Sequence, residues 1–368
     1  MKLPKLGDLT PEQLSVYEYP HDRHLFVIGP PGSGKTTLAV MRANFIVNTG
    51  LAVQVITRNK LLVGLAGQLA REAIGGDEGF SASTMNQFVS KHHNDTIGRY
   101  APEPTPYHYD WDRIIAEYDA RGIQPDIEHV LIDEGQNLPA PFFEWMVRFV
   151  AKVVTVFADE NQTTSDGRAS VREIYQCLGS GPFQLSLNLR NTPEIARVAE
   201  HFHRDAQVPP AMVSRPSSGS LPRLIRAPNM DALATMVDVH FDNRGDCVGV
   251  IVRRMDEVTS MAARLRALVE PHVRVEAYTS AAPLGYQRIR TMDPGITVLT
   301  GESAIGLEFD TVFLQDLERS LPAADVADAR RMYMLCARAR DRLTLVDGPE
   351  PLSSDKLSDL PGPDLLQR

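Results

Sequence analysis

Two short stretches of the chain carry residue types and spacings that do chemistry. In "GPPGSGKTT", Gly29 to Thr37, the residues Gly29, Gly34, Lys35 and Thr36 fit G-x-x-x-x-G-K-[ST]. Glycines let backbone N–H groups wrap a phosphate chain, and a helix N-terminus adds partial positive charge. Lys35 reaches the outer phosphates, and the Thr36 hydroxyl suits Mg²⁺. In "LIDEGQ", Leu131 to Gln136, an apolar run stops on two adjacent carboxylates. Like charges at a buried strand end are costly unless a cation faces them. Beside a phosphate loop that cation is Mg²⁺. Asp133 would hold it, through water, and Glu134 would orient and deprotonate the attacking water. Taken singly, the stretches also read as a glycine-rich turn and an exposed acidic strand end. The strand expected before Gly29 and the helix after Lys35 favour a nucleotide site lined by Gly29, Pro30, Pro31, Gly32, Ser33, Gly34, Lys35, Thr36 and Thr37.

Strands and helices must position these groups, and the pattern supplies both. "HLFVIG", "AVQVIT", "HVLID", "VVTVFAD" and "FQLSLN" read as buried strands, and so later do "CVGVIVR", "GITVLT", "DTVFLQ" and "RLTLVD". Val258, Met261, Ala262, Leu265 and Leu268 fall at helical spacing, as do Ile195, Val198, Ala199 and Phe202. Thr192 followed by Pro193 marks a helix start. Such alternation predicts parallel sheets covered on both faces, an α/β fold. Two sets predict two domains, residues 1–183 and 184–347. Residues 89–125 read as an insertion without clear period, and 348–368 as a flexible tail.

Composition narrows the classes. The chain has 368 residues, 43% hydrophobic and 23% charged, as in an ordinary globular protein. No apolar run approaches the roughly 20 residues of a membrane span, and "MKLPKLGDLTPEQ" lacks an apolar signal core. Cys177, Cys247 and Cys336 lie far apart and read as reduced thiols, so a cytoplasmic location is expected. A net charge of −9 argues against a surface coated for nucleic acid but leaves room for a local basic track.

From "DEGQ" onward the motifs resemble superfamily 1 helicases of the UvrD/Rep type, in that family's order. "LTPEQ" stands where the family has an adenine-reading glutamine, here Gln13. "ITRNK" (56–60) and "STMNQF" (83–88) stand at its strand-contacting positions. "VFADENQ" resembles the third motif, ending in Gln162, and "LNLRN" the fourth, with Arg190. "VIVRR" resembles the strand and arginine that follow. "TGESAIGLEFDTVFL" resembles the fifth motif, with Glu308, and "MYMLCARARDRLTLV" the sixth, with Arg338. The resemblance covers residues 9–346 and implies two RecA-like domains in tandem with ATP and Mg²⁺ bound at their interface. It implies Arg190 and Arg338 on the γ-phosphate, where an arginine finger is worth about 10³ to 10⁵ in rate. It further implies Gln162 as γ-phosphate sensor, Gln136 as a coupling residue and Glu308 on the ribose. Thr57, Arg58, Asn59, Thr84, Asn86, Arg253 and Thr300 would meet single-stranded DNA or RNA.

Plainer roles stand beside these. Gln13 completes a capping box with Thr10, which is compatible with adenine contact. Arg338 falls in "RARDR", on a predicted helix, where charge runs are commonly solvated faces. His201 and His203 have no convincing metal partners. "PYHYDW" reads either as local packing or as a base-stacking platform. The chain also departs from the family: Leu189 replaces a tyrosine that stacks on adenine, "TTSDGR" replaces aromatics after Gln162, and Glu302 and Ile305 replace a histidine and a lysine. The hydrolytic set is thus nearly complete and the strand-gripping set thinned. The leading expectation is an ATP-dependent translocase or helicase on single strands, with a protein partner supplying grip or an effector activity. The alternative is a nucleotide-driven switch that recruits or licenses a partner.

Overall fold

The computed structural model describes residues 4–57, 63, 79–159, 167–203, 210–279 and 293–368. The chain forms two compact units. One comprises Lys2–Gly29 and Gly34–Leu185, the other Pro30–Ser33 and Ser186–Arg368.

The first unit is built on a six-stranded parallel sheet. Its strands are β1 (Leu25–Ile28), β2 (Val53–Thr57), β3 (Phe80–Thr84), β4 (Ile127–Ile132), β5 (Ala151–Ala158) and β6 (Phe183–Gln184), in the order β3-β2-β4-β5-β1-β6. The central strands are continuous apolar runs, buried on both faces, as parallel sheets require. The described helices are α1 (Pro11–Tyr17), α2 (Lys35–Asn48), α3 (Met85–Ile97), α4 (Trp111–Ala120), α5 (Ala140–Trp145) and α6 (Val171–Leu178).

The stretch expected as an aperiodic insertion holds most of α3 and all of α4. Their inner faces mix aliphatic residues (Val89, Ile97, Ile114) with aromatics and histidines, which hid the period. Phe88, His92, Trp111, Tyr118, Trp145 and Phe142 form a ring cluster with centroid spacings of 5.4 to 6.2 Å. In "PYHYDW", Tyr109 and Trp111 pack on this core while Tyr107 is exposed.

The second unit carries β7 (Leu187–Asn188), β8 (Met212–Val213), β9 (Arg223–Arg226), β10 (Cys247–Val252), β11 (Val275–Ala277), β12 (Gly295–Thr300), β13 (Phe309–Leu314) and β14 (Ala339–Asp347). Six of them form a parallel sheet in the order β11-β12-β10-β13-β14-β9, and β7 pairs with β8. Its described helices are α7 (Pro193–Glu200), α8 (Met230–Arg244), α9 (Met255–Leu268), α10 (Gly301–Ala304), α11 (Val326–Cys336) and α12 (Ser354–Ser358). Two parallel sheets in tandem are the two RecA-like folds expected.

Two expectations are corrected. "RARDR" does not lie on a helix: α11 ends at Cys336, and residues 339–342 open β14, paired with β13. Residues 348–368 are not a loose tail. Leu360 and Leu366 are buried, Gln367 accepts a backbone bond from Leu224 (2.7 Å), and Arg368 donates to the carbonyl of Leu360. Burying two leucines offsets the ordering entropy that a polar tail could not. No described helix is long and apolar enough to cross a membrane.

Candidate active site

The phosphate-loop sequence leaves β1 at Ile28 and ends at the start of α2. The turn needs left-handed backbone twice, with φ of 83° at both Gly32 and Gly34, and Gly34 caps α2. Gly32 also needs its missing side chain. A Cβ there would come within 2.3 Å of Asn188 Oδ1 and 2.8 Å of Arg190 Cβ, and the Gly32 carbonyl accepts from Leu189 N (2.9 Å). The Pro30–Ser33 tip accordingly counts with Ser186–Arg368.

Lys35 is the first residue of α2 and is 7% exposed. Its ammonium donates to the Gly29 carbonyl (2.5 Å) and lies 3.5 Å from Asp159 Oδ2. Thr36 hydrogen-bonds to Asp133, and Thr37 follows it on α2.

Asp133 and Glu134 end β4, 4% and 5% exposed. Burial first, and the Glu134 charge second, raise the Asp133 carboxyl above the ordinary carboxylate range, against the pull of Thr36 and Lys35. Glu134 sits in left-handed backbone, φ 58°, a conformation costly for a residue with a side chain. Three neighbours hold it. Its own N–H donates to Asp133 Oδ1 (3.0 Å), and its Oε2 accepts from Gln136 Nε2 (2.7 Å) and Asn137 Nδ2 (3.3 Å). Gln136 Oε1 in turn accepts from Asp159 N (3.0 Å), so one glutamine links the ends of β4 and β5. Gly135 makes this close approach possible, because a Cβ there would meet Val156 Cγ1 at 2.6 Å.

Asp133 and Thr36 offer the hard oxygens that Mg²⁺ takes, and the raised Asp133 carboxyl marks a place where positive charge would be welcome. Among the described residues no group of three His, Cys, Asp or Glu could hold a metal. Mg²⁺ here would therefore complete its shell with phosphate and water, its usual habit. His201 and His203 bond to the Asp359 carbonyl and to Glu200.

Gln13 lies on α1 in the capping box expected: its Oε1 accepts from Thr10 N (3.1 Å) and its N–H donates to Thr10 Oγ1 (3.2 Å). Its Nε2 is 2.8 Å from where a Cβ on Gly34 would stand, so the capping glutamine also borders the loop.

In the second unit Arg190, Glu308 and Arg338 are neighbours. Arg190 Nε donates to Glu308 Oε2 (2.6 Å) and its Nη1 to the Ala337 carbonyl (3.4 Å). Burial pushes the Glu308 carboxyl up, but Arg190 and Arg340 bring it below its usual range. Arg338 is 1% exposed, and its guanidinium donates to the carbonyls of Met334 (2.9 Å) and Leu307 (3.3 Å). The residue expected on ribose and the one expected on the γ-phosphate thus hold each other, and Arg338 is turned into its own unit.

The expected strand-contacting residues have local work. Thr57 is buried at the end of β2, beside Thr84. Thr84 caps α3 through Gln87, and the Asn86 carbonyl accepts from Tyr109 Oη (3.2 Å). Arg253 pairs with Glu318, and Thr300 caps α10 through Ser303. Arg58, Asn59 and Gln162 lie outside the described residues. Sequence reading missed Asp159, the partner of Lys35, and Asn137, which bonds Glu134. Asp159 had a usable signal, since it closes an apolar strand ("VVTVFAD") as Asp133 does.

Residues 13–168 match a family model described as an AAA domain. That segment holds the phosphate loop, the paired carboxylates and Asp159. No curated protein matches the chain. Among solved structures it is similar to the C-terminal domain of a possible DNA helicase from Lactobacillus plantarum WCFS1, at 22% identity and TM-score 0.35, covering 48% of this chain and 96% of that one. It is also similar to arterivirus nonstructural protein 10, a helicase in complex with DNA, at 14% identity and TM-score 0.43, covering 94% of this chain and 65% of that one. The PRRSV helicase gives 16% identity and TM-score 0.43, covering 95% and 57%. The chain therefore spans less than two thirds of either viral helicase.

Proposed function

We propose that this chain, which carries an AAA domain over residues 13–168, is an ATP-hydrolysing superfamily 1 translocase or helicase core acting on single-stranded DNA or RNA. The observation that supports it most is the buried cluster of Lys35, Asp133, Glu134, Gln136 and Asp159, with half-buried Thr36 beside it, at the carboxyl ends of β4 and β5 and the start of α2. Lys35, now shared between Gly29 and Asp159, would exchange those partners for the outer phosphates. Asp133 and Thr36 would hold Mg²⁺, which when bound neutralises phosphate charge. Glu134, its orientation fixed by Gln136 and Asn137, would take a proton from the attacking water. Gln13 would contact adenine and Glu308 the ribose, and Arg190 and Arg338 would stabilise charge on the γ-phosphate once turned toward it.

A second reading, a nucleotide-driven switch that recruits a partner and holds nucleic acid weakly, is favoured by one observation. Among the described residues, Arg253, Arg254, Arg319, Arg331 and Lys356 of the second unit are already paired with carboxylates.

The deciding measurement is the ATPase rate of the purified chain with no polymer, with single-stranded DNA and with RNA, Lys35→Ala serving as control. A motor is stimulated strongly by its polymer, and a switch is not. Lys35→Ala is expected to abolish turnover by removing the point charge on the outer phosphates; near-normal turnover in that variant would sink both readings.

A further inference from the structure

Helix α1 has seven residues, too few to hold itself in place. Its two ends are fixed by different means. At the first turn, Gln13 Oε1 accepts from Thr10 N, and Nε2 lies 2.8 Å from where a Cβ on Gly34 would stand. The capping box therefore sets which way the amide faces. At the last turn, Arg42 reaches across from α2. Its Nη1 donates to the carbonyls of Val16 (3.0 Å), Tyr17 (3.2 Å) and Tyr19 (2.8 Å), and its Nη2 to that of Pro20 (3.1 Å). These carbonyls lie at and just beyond the end of α1, where helices leave acceptors unsatisfied and carry partial negative charge. Arg42 is fully buried, and among the described residues no carboxylate is paired with it. A buried guanidinium is ordinarily matched by an acid; this one is spent on the end of a single short helix. It follows Lys35 by seven residues, two turns along the same face of α2.

We propose that Arg42 is a positioning residue for base recognition: by pinning α1 to α2 it places the Gln13 amide, already oriented by Thr10, where it selects adenine over guanine. This rests on the nucleotide-site reading above and adds to it the origin of base selectivity. Adenine presents an N6 donor beside the N7 acceptor, which an amide matches with its oxygen and nitrogen. Guanine presents acceptors at both O6 and N7, so an amide that cannot turn over meets one of them with its own oxygen. An α1 released from Arg42 lets the amide shift and blurs that difference. Arg42 itself touches no nucleotide.

The test is steady-state hydrolysis of ATP and of GTP by the full chain and by Arg42→Lys and Arg42→Gln. For Arg42→Gln the KM for ATP rises about tenfold, the equivalent of one good hydrogen bond. The KM for GTP stays put, and kcat at saturating ATP changes less than about twofold. Arg42→Lys keeps the charge but loses the fork, so it lies between. An equal rise for both nucleotides, or a fall in kcat at unchanged KM, makes Arg42 a scaffold residue only and overturns the proposal. Should Arg42→Gln fail to fold by circular dichroism, the Lys variant carries the same comparison. A wild-type chain that treats ATP and GTP alike overturns base selection while leaving the ATPase reading intact. A chain that hydrolyses neither overturns both.

Discussion

At the carboxyl end of the first sheet, Asp133 and Glu134 lie buried side by side, and the nearby ammonium of Lys35 is shared with the Gly29 carbonyl and Asp159. At the carboxyl end of the second, Arg253 and Lys356 share Glu318, Arg254 faces Glu257, and Arg319 and Arg331 share Glu302 and Asp316. The first end sets one buried carboxylate against another, and the Asp133 carboxyl is raised. Among the described residues the cations of the second are paired with acids, although burial raises the Asp316 carboxyl there too. A site that must take up a cation and phosphates has to hold like charges together at a cost to stability. A surface that neutralises its own arginines has little left for a phosphate backbone.

The largest expected effect comes from the first end. Glu134→Gln should cut kcat by about 10² to 10⁴, the usual contribution of a general base, while ATP and Mg²⁺ affinity hold. Gln136 Nε2 can still bond the amide oxygen, so the left-handed turn keeps its main support. Equilibrium binding beside single-turnover hydrolysis separates the outcomes, and a collapse of affinity would make Glu134 a structural residue or a direct metal ligand.

Next in size is a stability gain. Asp133→Asn removes a buried charge set against Glu134 but keeps an oxygen for Glu134 N. The metal-free protein should gain about 1 kcal/mol, or about 2–4 °C in Tm for a unit of this size, while Mg²⁺-dependent hydrolysis is lost. The pH sign follows from the same shift. With its folded-state pKa raised, the Asp133 contribution to stability is full below the unfolded pKa and is lost as pH rises through the folded one. The mutant should lose that pH dependence. A lower Tm would mean that the two strand ends do not differ as described.

Much of this was legible in the sequence, and the limits have physical causes. Strand runs such as "CVGVIVR" and "GITVLT" announce themselves because both faces are buried. The loop at Gly29–Thr37 is readable because backbone shape and phosphate chemistry both restrict its residues. The Lys35–Asp159 pair spans 124 positions, and only the sheet order, with β5 beside β1, brings it together. "RARDR" misled because β14 opens with Ala339 to Arg342, and the partners of Arg340 and Asp341, Asp310 and Arg215, come from distant segments. Residues 348–368 looked loose because their anchors, Leu360 and Leu366, are sparse among prolines, serines and aspartates.

The smallest effect tests the second end. Glu318 is paired with Arg253 and lies 3.6 Å from Lys356 Nζ, and it is 34% exposed. It competes with any phosphate for two cations on a chain with net charge −9. Glu318→Gln keeps the shape and removes the competitor. Exposed pairs of this kind contribute little to stability, so Tm should stay within error and the change should fall on binding. Each cation made available adds about 0.7 to the slope of log affinity against log salt for single strands. Fluorescence anisotropy with a labelled oligothymidylate, repeated across salt concentrations, should show tighter binding and a steeper slope for Glu318→Gln. Arg253→Gln in the same background should remove about one contact of that gain. If neither the affinity nor the slope moves, self-pairing is not what weakens the second sheet's grip, and the comparison between the two ends loses its functional meaning.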